Sequence, residues 1–190
     1  MSAAPSRLKV GVDVPWVTSW SEETVSGAGP CPSVDGVLAL FQEDRPGVGK
    51  PLYSRNHLFR QRLSVRSMLC PMCGQATSDD DRWSQTGRYT TAREIRAKGL
   101  SAYVPKDFKP GRKLFDAGAI APLHRACAEN ALLHCPHLGG MADRTLKPFP
   151  RSWLVAPLTV ELKPAVKPGA KPQPSISAVS FVQLLGIVGD

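Results

Sequence analysis

No apolar run in this sequence approaches the roughly 18 to 20 residues that a membrane-spanning helix needs; the longest apolar stretches are short and interrupted. No transmembrane segment and no membrane partner are therefore expected. The residues before Trp16 carry Arg7, Lys9 and Asp13 with no apolar stretch behind the positive charges. That is not the pattern of a secretory leader, so a cytoplasmic protein is expected. A phosphate-cradling glycine loop is also missing, because Gly47-Val-Gly49-Lys50 lacks the spacing of either common motif. No combination of Ser, His and Asp stands out as a hydrolytic site. Histidine is scarce, with four in 190 residues, and none lies between Gly74 and Leu123.

What is present is enough for one ordinary domain with appendages: the chain is 42% hydrophobic, close to a typical globular protein. Its five cysteines are an odd number, and two form a tight Cys-x-x-Cys pair at Cys70 and Cys73. In a reducing compartment that pattern points to metal or redox chemistry rather than to a disulfide framework. No thioredoxin-like strand-helix-strand pattern surrounds the pair, which favours metal.

Cys70-Pro-Met-Cys73-Gly74 has the form of a zinc knuckle, a tight turn that aims two thiolates inward while glycine relieves the chain reversal. Pro122 to Cys135 reads as a helix opened by Pro122 and closed by Pro136. At about 100° per residue, His124 and Cys127 fall about 60° apart on one face, opposite Arg125 and Glu129. Two ligands in a helix's first turn facing a knuckle from earlier in the chain make a treble-clef arrangement. One structural zinc ion held by Cys70, Cys73, His124 and Cys127 is therefore expected. Cys135 shares the face but lies about 12 Å further along the axis, too far for the same ion, and reads as a core thiol unless the chain bends before Pro136. Cys31, between two prolines, reads as an incidental thiol. His134 and His137 bracket the helix end, where the dipole favours a capping role over ligation.

Charge is unevenly distributed. Residues 1–44 hold two basic and six acidic side chains, whereas Arg45, Lys50, Arg55, Arg60, Arg62 and Arg66 follow with no acid among them. A second block, Arg88, Arg93, Arg96, Lys98, Lys106, Lys109, Arg112 and Lys113, is opposed only by Glu94 and Asp107. The two blocks flank the knuckle and predict a basic surface for DNA or RNA, assisted by Tyr89, Tyr103 and Phe108; an ordinary solvated face is the alternative. Asp79, Asp80 and Asp81 read as a solvated turn.

The predicted fold is a small, loop-rich α+β protein built on this treble-clef-like module. Residues 1–66 form an irregular, short-strand region packing on it, and 67–162 form the zinc module with a basic insertion at 88–113. A capping box at Thr91-Ala-Arg-Glu94 and a stop at Gly99 predict a short helix over Thr91–Lys98. Trp153–Leu162 reads as an edge strand. Lys-Pro repeats make 163–175 an extended linker. The apolar segment 176–190 must cover a surface, either on its own domain or on a protein partner.

The three stretches Cys70–Gly74, Pro122–Ala128 and Cys135–Leu138 together resemble a pattern found in small uncharacterised bacterial proteins, notably actinobacterial ones, and in tailed-phage proteins. The resemblance implies a phage or prophage origin, with the host cytoplasm or virion as location, and no established activity. This chain departs from the pattern in its long insertion and in His137, where an aromatic residue is expected. A treble clef can also carry a nuclease site, with a histidine between knuckle and helix activating water. The lack of any histidine between Gly74 and Leu123 disfavours that chemistry. The expected function is a non-catalytic, zinc-stabilised module that binds nucleic acid, with a protein-interaction, virion or host-inhibitor role through 176–190 as the alternative.

Overall fold

The computed structural model describes residues 4–135, 138, 140–163 and 174–189. They form a small mixed α+β protein with few helices and several sheets. The strands are β1 (Thr18–Trp20), β2 (Val25–Pro30), β3 (Leu38–Gln42), β4 (Pro51–Asn56), β5 (Trp83–Ser84), β6 (Arg88–Thr91), β7 (Lys113–Gly118), β8 (Lys147–Pro148), β9 (Ser152–Leu162) and β10 (Ile176–Ile187). The α-helices are α1 (Leu58–Ser67), α2 (Ala92–Ile95) and α3 (Arg125–His134). No helix among the described residues is long and apolar enough to cross a membrane.

The apolar segment near the end of the chain is the organising strand. Its Val, Ile and Phe residues suit a pleated, buried surface, and β10 pairs antiparallel with β9 from Ile176↔Leu162 to Ile187↔Ser152. Its other edge is shared: β3 runs parallel to it at Val179↔Ala39, and β7 pairs antiparallel from Leu184↔Gly118 to Ile187↔Leu114. β2 and β6 complete the sheet outside β3 and β7. Residues 176–187 pack on their own domain, with Val182, Leu184 and Leu185 at most 2% exposed inside this sheet. The Lys-Pro stretch 164–173 lies outside the described residues.

On one face of the sheet Val179, Val182, Leu184 and Phe115 pack with Val65 and Met68 of the α1 region. On the other, Leu114 and Leu185 pack with Ala92, Ile95 and Val104, so residues 88–113 are anchored to the sheet by their own apolar side chains. Within that segment Thr91 and Glu94 form the capping box. The helix is shorter than the sequence predicts: after Ile95 the chain widens into a π turn over Arg96–Leu100, with Gly99 at φ +85°.

The helix α1 is held by polar side chains. Between the β3 and β7 pairings, residues 180–182 of β10 have no neighbouring strand on that edge. Arg62 donates to Ser180 O (2.8 Å) and Leu40 O (2.9 Å), and Gln61 donates to Val182 O (2.8 Å) and Ala119 O (2.9 Å). These side chains close a gap in the sheet that would otherwise strand buried backbone groups.

Candidate metal centre

The knuckle turn is fixed by its own backbone. Gly74 N donates to Cys70 O (2.8 Å), Cys70 N donates to Gln75 O (2.7 Å), and Leu69 bridges Ala76 antiparallel. Gly74 adopts φ +78°, and a Cβ there would lie 2.9 Å from Trp16 Cγ, so conformation and close approach both call for glycine. The N-terminal region clamps the turn from outside, with Trp16 N donating to Met72 O (2.8 Å) and Val17 N to Pro71 O (3.1 Å).

The helix half is brought in by a pair of backbone bonds. Trp83 N donates to Leu123 O (2.9 Å) and Leu123 N to Trp83 O (2.8 Å), which spans the long sequence gap and sets the entry to α3. His124 is the N-cap residue but makes no side-chain cap bond. Asp81 supplies that service instead, accepting from Arg125 N at 2.7 Å. Its neighbours are engaged too: Asp79 pairs with Arg82 and Asp80 with Arg151.

The ligating atoms of Cys70, Cys73, His124 and Cys127 all lie within 4.8 Å of one another, and none of these cysteines is in a disulfide. His124 Nδ1 is 3.4 Å from the Cys73 sulfur. Its Nε2 is 3.1 Å from Ala76 O, an oxygen that only accepts, so Nε2 carries the hydrogen and Nδ1 presents a lone pair to the cluster. That outer bond fixes the ring in the orientation a metal-bound histidine takes. Burial first, then the adjacent Cys70 and Cys73 sulfurs, push the Cys127 thiol up to about 12. Burial likewise raises Cys70. Three thiolates this close repel one another, and a divalent cation among them would reverse that balance.

Comparison with protein-family models, with curated proteins and with solved structures gives no match for this chain. The site therefore rests on its own geometry.

Cys135 stands outside the four-residue cluster, half-buried at the end of α3, where it lines a cavity of about 160 Å³ with Met72, Gln61 and Leu138. Cys31 is buried far from the knuckle in sequence and packs in the main core. Burial raises its thiol, but Ser33, 3.1 Å away, and the Arg62 charge outweigh it and hold the thiol below its ordinary value. His134 is exposed in the last turn of α3; His137 lies outside the described residues.

The sequence reading missed a second group. Glu23, Asp44 and His57 also place ligand-type atoms within 4.8 Å of one another. Arg60 fills that space: its guanidinium meets Glu23 through two bonds of 2.8 Å and also pairs with Asp44. The only available signal was the acidic surplus before Asp44 beside the acid-free block after it, which is a weak one.

This arrangement overturns part of the expected nucleic-acid surface. Arg60 and Arg62 are 2% and 0% exposed and bind internal groups, so they cannot reach phosphates. Arg66 makes a bidentate pair with Asp35 (2.6 and 2.8 Å). In the first block, Lys50 and Arg55 are exposed without an ion pair among the described residues. The second block fares differently. Arg96 is turned inward onto Pro105 O and Phe108 O (2.8 and 3.0 Å), Arg112 stacks over Phe108 (5.6 Å), and Lys98 pairs with Asp116 (3.1 Å). Arg88, Arg93, Lys106, Lys109 and Lys113 remain exposed and make no ion pair among the described residues.

Proposed function

We propose that this protein is a non-catalytic binding module, stabilised by one structural zinc ion, that grips nucleic acid through the basic segment 88–113. The zinc would be held by Cys70, Cys73, His124 and Cys127. The observation that carries the metal reading is the converging ligand set with its outer hydrogen bond. A tetrahedral zinc with Zn–S near 2.3 Å and Zn–N near 2.0 Å separates a sulfur from a nitrogen ligand by about 3.5 Å, against 3.4 Å between Cys73 and His124 here. Three thiolates and an imidazole closing all four positions are the donor set of a structural zinc site in a treble-clef-like module, not of one that keeps a place for water. Such an ion supplies folding free energy to a region whose own core is small, namely Cys70, Leu123 and Ala128 with their neighbours.

Five exposed, unpaired cations on a segment anchored to the sheet support the nucleic-acid reading. Phosphate contacts release condensed counterions, so affinity falls steeply with salt. Five such contacts imply a loss of about two to three orders of magnitude between about 50 and 200 mM salt. Titrating labelled oligonucleotides across that range is the test. Combined Arg93→Ala, Lys106→Ala, Lys109→Ala and Lys113→Ala should flatten the salt dependence, while Arg55→Ala leaves it nearly unchanged. Failure to retain DNA or RNA even at low salt would remove this reading.

A further inference from the structure

Tyr89 is 60% exposed on β6, the outermost strand beyond β7. It is nevertheless rigidly backed. Its ring meets Phe115 edge-on at 5.2 Å and 74°, and Phe115, itself fully buried, meets Phe149 at 5.8 Å and 79°. Gly87 lets the chain lie flat against this stack, since a Cβ there would fall 2.2 Å from the Phe115 ring. An aromatic ring fixed from behind and open to solvent gives a base a surface to stack on at little entropic cost.

Two cations lie along the strand on either side of Tyr89, one of them on the same face. Tyr89 pairs with Phe115 and Thr91 with Lys113, so Tyr89, Thr91 and Lys113 share one face of the sheet by alternation. Lys113 is then the diagonal neighbour of Tyr89, at about 7 Å between backbones. Arg88 precedes Tyr89 and points to the other face, opposite Asp116. Lys113 and Arg88 thus lie on either side of the exposed ring along a free strand edge.

The same region has no element suited to reading a duplex. Major-groove readout takes an α-helix or a two-stranded ribbon that fits the groove. Here α2 has four residues before it widens, and β7 is enclosed between β6 and β10. The exposed start of α3 carries Arg125 already paired with Glu129 (2.9 Å), and α1 is packed on the sheet. We infer that the nucleic acid is single-stranded, with a base stacked on Tyr89 and the adjoining phosphates met by Lys113 and Arg88. This deepens the nucleic-acid reading above and rests on it.

The test uses the full chain at low salt with three probes: a short oligothymidine, an abasic oligomer of the same length, and a hairpin duplex. The abasic oligomer has the same phosphates and no bases. Oligothymidine should bind at least about tenfold more tightly than either other probe, since one stacked base contributes about that factor. Tyr89→Ala should abolish the preference without weakening abasic binding, and Tyr89→Phe should keep it. Equal binding of oligothymidine and the abasic oligomer by the unsubstituted protein, or tighter binding of the duplex, would overturn the inference while leaving a nucleic-acid surface in place. Retention of none of the three would remove the nucleic-acid reading and this inference with it.

Discussion

Gln61 and Val182 exchange two hydrogen bonds across the core: the Gln61 amide donates to Val182 O at 2.8 Å, and Val182 N donates to Gln61 Oε1 at 3.1 Å. A helix side chain here does the work of a neighbouring strand on the edge of β10 left open between β3 and β7. Gln61→Leu keeps the volume but leaves both backbone groups of Val182 buried without partners. Each such group costs about 1–3 kcal/mol, so urea unfolding of Gln61→Leu should show a loss of about 2–4 kcal/mol, well above that of an exposed substitution such as Lys109→Ala.

The same helix shows what the sequence concealed. Arg60, Gln61, Arg62 and Ser64 face inward on α1, so the segment has no apolar stripe to mark it as a helix. Its arginines looked instead like a basic surface. The grouping of Cys70, Cys73, His124 and Cys127 was legible because ligand-type residues at short spacings lie within two local turns. Thr91 and Glu94 were legible for the same reason, since a capping box is local chemistry. The central place of β10 was not, because its neighbours β3 and β7 come from distant parts of the chain, and an apolar run does not state what it packs against.

Glu23 and Arg60 form the most deeply buried ion pair among the described residues, with side chains 0% and 2% exposed. Glu23 also accepts from Trp20 N (2.7 Å) and Arg45 N (3.0 Å). Removing Glu23 leaves the buried Arg60 charge only the half-exposed Asp44 and strips Trp20 N and Arg45 N of their acceptor; breaking a buried pair costs up to about 3–5 kcal/mol. Glu23→Ala should therefore lower the unfolding midpoint sharply. Asp35→Asn, which removes the charge of the exposed pair with Arg66 and suits the left-handed backbone there, should shift the midpoint far less.

His57 gives the fold a pH dependence of definite sign. Its Nδ1 accepts from Arg60 N (3.3 Å) to cap α1, and its Nε2–H reaches Glu43 O (3.0 Å), an arrangement that requires the neutral ring. Burial first, and then the Arg60 charge, lower its pKa below the ordinary value. The unfolded chain takes up a proton as pH falls through about 6.5 while the folded chain does not. Stability from this group is present above that pH and is lost as the solution is acidified towards the lower folded value. Unfolding free energies measured at pH 7 and pH 5 should fall more for the unsubstituted protein than for His57→Asn, which keeps a capping side chain but does not titrate.

The central claim is that Cys70, Cys73, His124 and Cys127 hold one zinc ion, and metal analysis of purified protein with single cysteine substitutions tests it most directly. The expected result is one zinc per chain in the unsubstituted protein, lost in Cys70→Ser, Cys73→Ser and Cys127→Ser, and retained in Cys31→Ser and Cys135→Ser, whose sulfurs stand outside the cluster. Stoichiometric zinc in Cys73→Ser, or its loss in Cys135→Ser alone, would contradict the proposed site.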